Sequence, residues 1–587
     1  MSSIPRPEHP RPQFERDDWL NLNGEWTFAF DFGHSGRDVG RELFKSKGFD
    51  RKILVPFCPE SRLSGVGYTD FIEDMWYHRK ITVPEAWAGR RAILHFGAVD
   101  YEAEVYIDGV SVGTHFGGTV SFEFDITPYV TPGAVHDLVV RVHDSTRGAG
   151  QPGGKQCLAY KSRGCHYTRT TGIWQTVWLE AVGPVGLKSC QIIPDFDGAR
   201  FIVTPSYYAV AAGYRLRATL LDGEAAVATA EVSALDGVPI VLPVADPKPW
   251  SPESPFLYDL RFEVLDAAGA AVDTVKSYVG LRKVHIEGDR FFLNNKPLFF
   301  SLVLDQGFYP DGIWTAPSDE ALRRDIELSM AAGFNGARLH QKVFEERFHY
   351  WADKLGYLTW GESSSWGVST SQIRDARNFL PEWAEIVRRD RNHPSIIAWS
   401  PFNETSPDLD PYQHNRTQID AYQITKALDP TRPVNDSSGY THAITDLWTV
   451  HNYSRPDKLV ELDQGPGKVW ANSWNASTEA SLRQYPYRGQ PYINDEFGDL
   501  KWIPPDRCPF ADNTWGYGAD IPDLEAFYKL LSDEVDVMLR VSNLSGWCYT
   551  QLTDVEQEQN GVYCYDRTPK FDMARIREIF MRRAPSS

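Results

Sequence analysis

Residues 318–340 read SDEALRRDIELSMAAGFNGARLH and contain a complete junction between a helix and a strand. Ser318 stands at a favourable N-cap position, Leu322 and Ile326 lie one turn apart on one face, and Gly333 is placed to end the helix. The run FNGARLH that follows predicts a buried strand. This stretch therefore predicts one unit of an α/β domain in which strands and helices alternate.

The same alternation continues from residue 286 to residue 587. The predicted strands are PLFFSLVLD, FNGARLH, YLTWGE, SIIAWSPFNE, RPVNDSS, LWTVHNY, PYINDEFG and LSGWCYTQL, in chain order. Eight strands of this kind in about 300 residues predict a (β/α)8 TIM barrel. An open, doubly wound sheet is the alternative architecture.

The chain before the barrel is rich in short alternating runs and turn residues. Residues 1–184 predict a jelly-roll domain, in which Asp108-Gly109 is a strong signal for a two-residue hairpin. Residues 185–285 predict a small immunoglobulin-like β-sandwich. The sequence thus predicts two β domains followed by a barrel.

Composition excludes several classes of protein. The chain of 587 residues carries 60 Lys and Arg against 79 Asp and Glu, a net charge of −19. Such a chain is a poor partner for nucleic acid or an anionic membrane. Its seven cysteines form no C-x-x-C pair, and no secretion signal or long apolar run is present. We therefore expect a soluble, cytoplasmic protein.

Polar residues at the ends of the predicted barrel strands are the candidate functional residues, because TIM barrels carry their active sites there. These strand-end residues are Asp305, Arg338, His340, Glu362, Asn403, Glu404, His451, Tyr453, Asp495, Glu496 and Trp547. A mouth with several carboxylates and aromatic rings suits glycoside cleavage, which needs two carboxyl groups on either side of one bond.

Glu404 and Glu496 form the best pair of carboxylates, because they end predicted strands 4 and 7 and can face each other across the mouth. A separation of about 5–5.5 Å would make the reaction retaining. A single glutamate at a strand end can equally be a solvated rim residue. The matched position of the second glutamate, with Asn403 beside the first, favours catalysis.

Several stretches together resemble glycoside hydrolase family 2, the group of β-galactosidases, β-glucuronidases and β-mannosidases. RNHPSIIAWSPFNE (391–404) resembles the acid/base segment of that family, and VKSYVGLRKV (275–284) its junction between sandwich and barrel. WYHRKITVPEAWAGRRAILHFGAVDYEAEVYIDG (76–109) and TGIWQTVWLE (171–180) resemble its N-terminal sugar-binding domain. The resemblance extends over nearly the whole chain.

The resemblance implies roles for individual residues. Glu404 would be the general acid/base, Glu496 the nucleophile, and Asn403 a partner of the sugar 2-hydroxyl. Tyr453 would donate to the nucleophile, and Trp547 would form the floor of the sugar subsite. The other candidates for substrate contact are Asp305, Arg338, His340, Glu362, His451 and Trp474.

The predicted reaction is retaining hydrolysis of a terminal, non-reducing sugar residue. The loop EQEQNG (556–561) lacks the Asn-x-Lys motif that family β-glucuronidases use to bind the uronate carboxylate, and it adds two negative charges. A neutral sugar such as a β-galactoside is therefore favoured. A glucuronide, mannoside, furanoside or arabinoside remains an alternative, as does a non-catalytic carbohydrate-binding protein on this scaffold.

Other signals do not predict a cofactor. GAGQPG (148–153) matches G-x-G-x-x-G but opens no helix, and the histidines lack the spacing of metal ligands. We expect no cofactor and no metal ion, a small oligosaccharide or glycoside as substrate, and no nucleic-acid or membrane partner. Formation of a homo-oligomer is left open.

Overall fold

The computed structural model describes residues 4–148, 150–465, 485–504, 510, 513–516 and 521–583. These residues form two β-sandwiches followed by an α/β barrel, so the predicted fold class is confirmed. None of the described helices is both long enough and apolar enough to cross a membrane.

The first sandwich consists of a four-stranded and a six-stranded antiparallel sheet packed face to face. In spatial order the smaller sheet contains Trp19–Asn21, Val177–Val182, Arg91–Phe96 and Phe122–Asp125. The larger sheet contains Arg51–Val55, Gly24–Phe30, Asp74–Thr82, Val135–His143, Glu102–Ile107 and Val110–Phe116. The predicted hairpin is confirmed, because Ile107 pairs with Val110 and both turn residues have the positive φ that this turn requires.

The second sandwich has the seven-stranded arrangement of an immunoglobulin-like domain. One sheet contains Leu187–Asp195, Arg200–Tyr207 and Ile240–Pro243, and the other contains Ala225–Ser233, Arg215–Asp222, Tyr258–Leu265 and Ala271–Val279. Apolar residues alternate along these strands and meet between the two sheets, where they form one core. A small sheet of Val284–Glu287, Arg290–Leu293 and Lys296–Pro297 then leads into the barrel.

The described part of the barrel contains eight parallel strands. They are β1 (Phe300–Asp305), β2 (Gly336–Leu339), β3 (Leu358–Glu362), β4 (Ile396–Ser400), β5 (Ser437–Ser438), β6 (Trp448–His451), β7 (Tyr492–Gly498) and β8 (Leu544–Thr550). Their hydrogen-bonded order is β4-β3-β2-β1-β8-β7-β6, and β5 pairs with the short extension Phe402–Asn403 after β4. The first strand, β1, pairs with the last strand, β8, and the extension of β4 pairs with β5, which is the arrangement of a barrel and not of an open doubly wound sheet.

Helices cover the outside of the barrel. Within the described residues they are α1 (Asp319–Ala332), α2 (Glu346–Leu355), α3 (Ile373–Asp390), α4 (Pro411–Leu428), α5 (Pro456–Leu459), α6 (Leu524–Met538) and α7 (Met573–Phe580). The predicted limits of α1 are confirmed: the Ser318 side chain accepts a hydrogen bond from the Ala321 N–H, and Gly333 ends the helix with φ 104°. Because the helices bury the outer faces of the strands, the strands are apolar on both faces.

The first sandwich packs directly against the barrel near its mouth. The Trp174 and Trp314 rings meet edge to face with their centroids 5.2 Å apart in a buried cluster shared by the two domains. On another side, the Glu382 carboxylate on α3 accepts a hydrogen bond from the Thr119 N–H at 3.0 Å. These contacts bring loops of the first sandwich to the strand ends that carry the candidate functional residues.

Candidate active site

A pocket lies at the carboxyl ends of the barrel strands, where the predicted site residues are. It is lined by Lys155, Cys165, Leu304, His340, Trp366, Glu404, Tyr453, Glu496, Trp515, Thr550 and Glu558. The strands β1, β2, β3, β4, β6, β7 and β8 contribute to this lining directly or through the residues that follow them. Lys155 and Cys165 come from the first sandwich.

Glu496 is held by two donors on opposite oxygens. Arg338 Nη1 donates to Oε1 at 2.9 Å, and the Tyr453 hydroxyl donates to Oε2 at 2.6 Å. Burial alone would raise the pKa of Glu496, but the charges of His451 and Arg338 and the hydrogen bond from Tyr453 lower it to about 2. Glu496 is therefore ionised and fixed in direction, as a nucleophile must be.

Arg338 connects residues from four strands through one planar guanidinium group. In addition to its hydrogen bond with Glu496, Arg338 donates from Nε to Glu362 at 2.7 Å and from Nη2 to Asn403 Oδ1 at 2.6 Å. The Nη2 atom also lies 2.9 Å from His340 Nδ1. The Arg338 side chain has no exposed surface, so this network is rigid and shielded from water. Five residues predicted at the ends of four different strands therefore meet at one point.

Asn403 keeps one donor available within this network. Its Oδ1 is occupied by Arg338, whereas its buried Nδ2 has no hydrogen-bond partner among the residues that the structure describes. An unsatisfied buried donor costs free energy unless a ligand or water completes it. The amide is thus positioned to donate to a substrate hydroxyl.

Glu404 follows the short extension after β4 and is positioned by β5. Its N–H donates to the Ser438 carbonyl at 2.9 Å, and its φ of 49° lies in the left-handed region. Such a backbone is unfavourable for a glutamate and is typical of functional positions. The side chain turns towards His451, whose Nδ1 lies 2.6 Å from Oε1.

His451 lies between the two glutamates. Its Nδ1 is 2.6 Å from Glu404 Oε1 and 3.2 Å from Glu496 Oε2, and all three atoms lie within 4.8 Å of one another. Burial lowers the pKa of His451, but the carboxylates of Glu496, Asp495 and Glu404 raise it to about 9. The spacing of the two glutamates suits retaining glycosidases, at about 5–5.5 Å, better than inverting ones, at about 6.5–9.5 Å.

Three models of one protein family match the chain in the order of its domains. They are "Glycosyl hydrolases family 2, sugar binding domain" over residues 66–179, "Glycosyl hydrolases family 2" over 205–282, and "Glycosyl hydrolases family 2, TIM barrel domain" over 284–500. The chain belongs to glycoside hydrolase family 2. It is therefore a glycoside hydrolase, of the exo-acting kind.

Curated relatives of this family 2 hydrolase carry two different names. The β-glucuronidase of Paenibacillus borealis is 26% identical, over 94% of each chain. The β-galactosidase of Thermoanaerobacter pseudethanolicus is also 26% identical, over 71% of this chain and 55% of that one. Among solved structures, a β-glucuronidase from Ruminococcus gnavus in complex with D-glucuronic acid superposes with a TM-score of 0.79 at 20% identity, over 97% of this chain and 99% of that one.

Two predicted site residues of this family 2 hydrolase lie outside the pocket and its hydrogen-bond network. Asp305 is buried, and its Oδ1 accepts a hydrogen bond from the Gly307 N–H at 2.9 Å, so it supports the turn after β1. Trp547, predicted to form the floor of the subsite, instead packs its ring between strand and helix layers against Phe334 and Phe580. Trp474, also predicted to contact substrate, lies outside the described residues.

The sequence did not predict the contribution of Lys155. This lysine follows a glycine-rich segment, whose residues 150–154 pack on the barrel because the Gly153 N–H donates to the Trp366 carbonyl at 2.8 Å. The Lys155 ammonium then lies 5.5 Å from the centre of the Trp366 ring and is almost fully buried. The only signal in the sequence was a cluster of glycines, which permits this close approach.

The acidic loop after β8 does face the pocket, but its charges have partners. Glu558 accepts hydrogen bonds from the Tyr167 hydroxyl and, at 3.1 Å, from Asn560 Nδ2. Glu556 accepts the Thr168 N–H at 3.1 Å and is turned towards the first sandwich. Together with Lys155, Glu558 gives this wall of the pocket one charge of each sign, where the sequence predicted negative charge alone.

The position of His451 predicts a pH dependence. Below about pH 9 the imidazolium is charged and separates two carboxylates, and above that pH it becomes neutral, so kcat/KM should fall as the pH rises through about 9. The His451→Asn variant should lose about 10²-fold in kcat/KM near neutrality and show no inflection near pH 9, so that loss of the proton from the acid Glu404 alone shapes its alkaline limb. A pH profile of kcat/KM measures both effects.

The matched control is His414→Asn, because buried His414 hydrogen-bonds Thr370 instead of either glutamate. This control should keep the alkaline limb of the wild type. If kcat/KM fell near pH 9 in the same way for the wild type and for His451→Asn, the role of the imidazolium would be contradicted.

Proposed function

We propose that this family 2 hydrolase removes terminal sugar residues from β-glycosides by double displacement, with Glu496 as nucleophile and Glu404 as general acid/base. The observation that carries this proposal is the pair itself: one ionised, doubly hydrogen-bonded carboxylate and a second, more accessible one, joined through His451. The short spacing supports retention of configuration.

In the first step, a Glu496 oxygen attacks the anomeric carbon while the bond from that carbon to the glycosidic oxygen breaks. Glu404, in its protonated form, transfers its proton to the departing oxygen. In the second step, Glu404 takes a proton from water, whose oxygen attacks the anomeric carbon and releases Glu496. Arg338 and Tyr453 hold the nucleophile in line throughout.

The available Nδ2 donor of Asn403 supports recognition of the 2-hydroxyl next to the reacting carbon. A hydrogen bond to this hydroxyl strengthens as positive charge develops on the sugar in the oxocarbenium-like transition state. Because Oδ1 of Asn403 is fixed by Arg338, the donor cannot rotate away without breaking a charge-assisted hydrogen bond.

The pocket wall supports a neutral sugar, and we propose a β-galactoside. A uronate would add a carboxylate to a pocket that already contains Glu404, Glu496 and Glu558, with one lysine opposite them. Lys155 and Glu558 can instead donate to and accept from hydroxyl groups. The loop that carries Lys155 also closes one side of the pocket, which supports attack on a terminal residue.

A β-glucuronide is the second candidate. It is favoured by the cation Lys155, which lies within the pocket, and by the names of the relatives that align over most of the chain. The two candidates differ in what Lys155 does: it hydrogen-bonds a hydroxyl in one and neutralises a carboxylate in the other.

A comparison of nitrophenyl β-galactoside and β-glucuronide, with the wild type and Lys155→Met, tests the proposal. We expect the galactoside to be the better substrate and Lys155→Met to lower its kcat/KM by about 10-fold, the effect of losing one hydrogen bond from the ammonium to a neutral hydroxyl. A glucuronide preference that falls by about 100-fold in Lys155→Met would establish the second candidate instead. Lys161→Met, an exposed position in the same loop, is the control.

A further inference from the structure

A second group of convergent side chains lies far along the chain from the catalytic residues, on the six-stranded sheet of the first sandwich. Asp74 begins the strand Asp74–Thr82, and His143 ends the neighbouring strand Val135–His143, directly opposite Asp74 in the register. His34 reaches the same point from the turn that follows Gly24–Phe30. Among the described residues, this trio and Glu404–His451–Glu496 are the two sets that bring three potential metal ligands together.

Both imidazoles direct Nδ1 at the same carboxylate oxygen. His143 Nδ1 lies 2.9 Å from Asp74 Oδ2, and His34 Nδ1 hydrogen-bonds that oxygen too. The three atoms lie within 4.8 Å of one another. A tetrahedral Zn²⁺ with ligands at about 2.0–2.2 Å holds its ligand atoms about 3.3–3.5 Å apart, so small side-chain rotations would open the trio to that size.

The backbone around His34 is built to hold it in place. His34 has φ 52°, an unfavourable value for a histidine, and its N–H donates to the Asp31 carbonyl at 2.9 Å. The Asp31 carboxylate secures the rest of the turn by accepting the N–H groups of Ser35 and Gly36 at 3.0 and 2.8 Å. The third ligand is thus presented by a rigid turn.

The residues around His34, Asp74 and His143 include charged side chains of the kind that commonly hydrogen-bond metal ligands in proteins. Arg141 donates to the other oxygen of Asp74, which leaves Oδ2 as the oxygen that faces the imidazoles. Glu73 Oε2 lies 3.7 Å from His34 Nε2, so a small side-chain movement would let it accept a hydrogen bond from the Nε2–H once Nδ1 binds a metal. Glu102, opposite His143 in the sheet, adds a further negative charge.

We propose that His34, Asp74 and His143 bind a divalent transition-metal ion of the Zn²⁺ class. Each imidazole binds through Nδ1 with its proton on Nε2, Asp74 binds through Oδ2, and water completes the tetrahedron. The partial exposure of His34 and His143, 52% and 33%, provides access for the ion and for this water. Two imidazoles and one carboxylate favour Zn²⁺ or Co²⁺ over Mg²⁺ or Ca²⁺. The ion fastens the turn at residues 31–36 to the sheet.

The test is a titration of the chelator-treated full chain with Zn²⁺ against a chromophoric chelator, repeated with Co²⁺ and visible spectroscopy. We expect the wild type to bind one equivalent more than either His34→Ala or His143→Ala, with the absorption of tetrahedral Co²⁺. Affinity for that equivalent should fall more than about 100-fold in each variant. The difference in stoichiometry between the wild type and the variants counts only the ion bound at this site, because an ion bound at Glu404 and Glu496 would be present in all of them.

His136→Ala is the matched control. His136 lies on the same strand as His143 and forms the same kind of pair, with its Nδ1 2.6 Å from Asp108 Oδ2, but no third potential ligand joins this pair among the residues that the structure describes. The His136→Ala variant should bind as many equivalents of Zn²⁺ as the wild type. All variants should keep the circular dichroism spectrum and the turnover of the wild type. Equal stoichiometry in the wild type, His34→Ala and His143→Ala, or no Co²⁺ spectrum in the wild type, would overturn the proposal.

Discussion

The Glu496→Gln variant is expected to hydrolyse nitrophenyl β-glycosides more than about 10⁴-fold more slowly than the wild type. The amide keeps the size of the side chain and can still contact Arg338 and Tyr453, but it cannot attack the anomeric carbon. Steady-state kinetics at saturating substrate measure the loss. Because the change is nearly isosteric, the variant should still bind the sugar, which equilibrium binding can check.

A chemical test separates loss of the nucleophile from general damage. Glu496→Gly leaves a space in which azide can attack from the face that the carboxylate occupied, so the product should be the α-glycosyl azide, with inverted configuration. Glu382→Gln is the matched control, since Glu382 is also buried but accepts its hydrogen bonds from Thr119, outside the pocket. Turnover by Glu496→Gln above about one hundredth of the wild-type rate would contradict the assignment.

The Glu404→Ala variant is expected to lose about 10²–10⁴-fold in kcat/KM on substrates with a poor leaving group. Without the acid, the departing oxygen must leave as an anion, and without the base, water must attack unassisted. Substrates with a very acidic phenol as leaving group should keep a fast first step and show a burst of phenol release. Pre-steady-state kinetics across a series of leaving groups measure this difference.

Azide again gives a stereochemical readout for Glu404→Ala. It should react with the glycosyl-enzyme from the face that Glu404 occupied and form the β-glycosyl azide, with retained configuration. Glu385→Ala is the control, because Glu385 lies on the outer surface of α3 and pairs with His115. An equal loss of rate for good and poor leaving groups would argue against the acid/base role.

Much of the fold followed from local patterns. The N-cap at Ser318, the stop at Gly333 and the hairpin at Asp108-Gly109 depend on residues a few positions apart, so the sequence contains all the information they need. The strand ends of a parallel barrel meet at one rim by construction, which is why strand positions alone predict that Glu404, Glu496, Arg338 and Asn403 lie near one another.

Other features depended on which way each side chain points. Along β8, successive residues face opposite sides of the strand: Cys548 packs towards the barrel interior and Thr550 lines the pocket, whereas Trp547 points to the helices. The type of residue at a strand end therefore does not decide its role without the register. The helix-facing position of Trp547 is stabilised by aromatic neighbours from α7 and from the segment before β2.

The sequence by itself determined the order of the domains, the barrel and the positions of two glutamates at strand ends, because periodicity and strand ends are encoded over short distances in the chain. Only the tertiary structure decided the charge of the pocket wall and the environment of Glu496. Lys155 and Glu558 belong to different domains, and Glu496 is ionised by contacts with Arg338 and His451 from other strands. Electrostatic interactions depend on distance in space, and that distance exists only once the chain has folded.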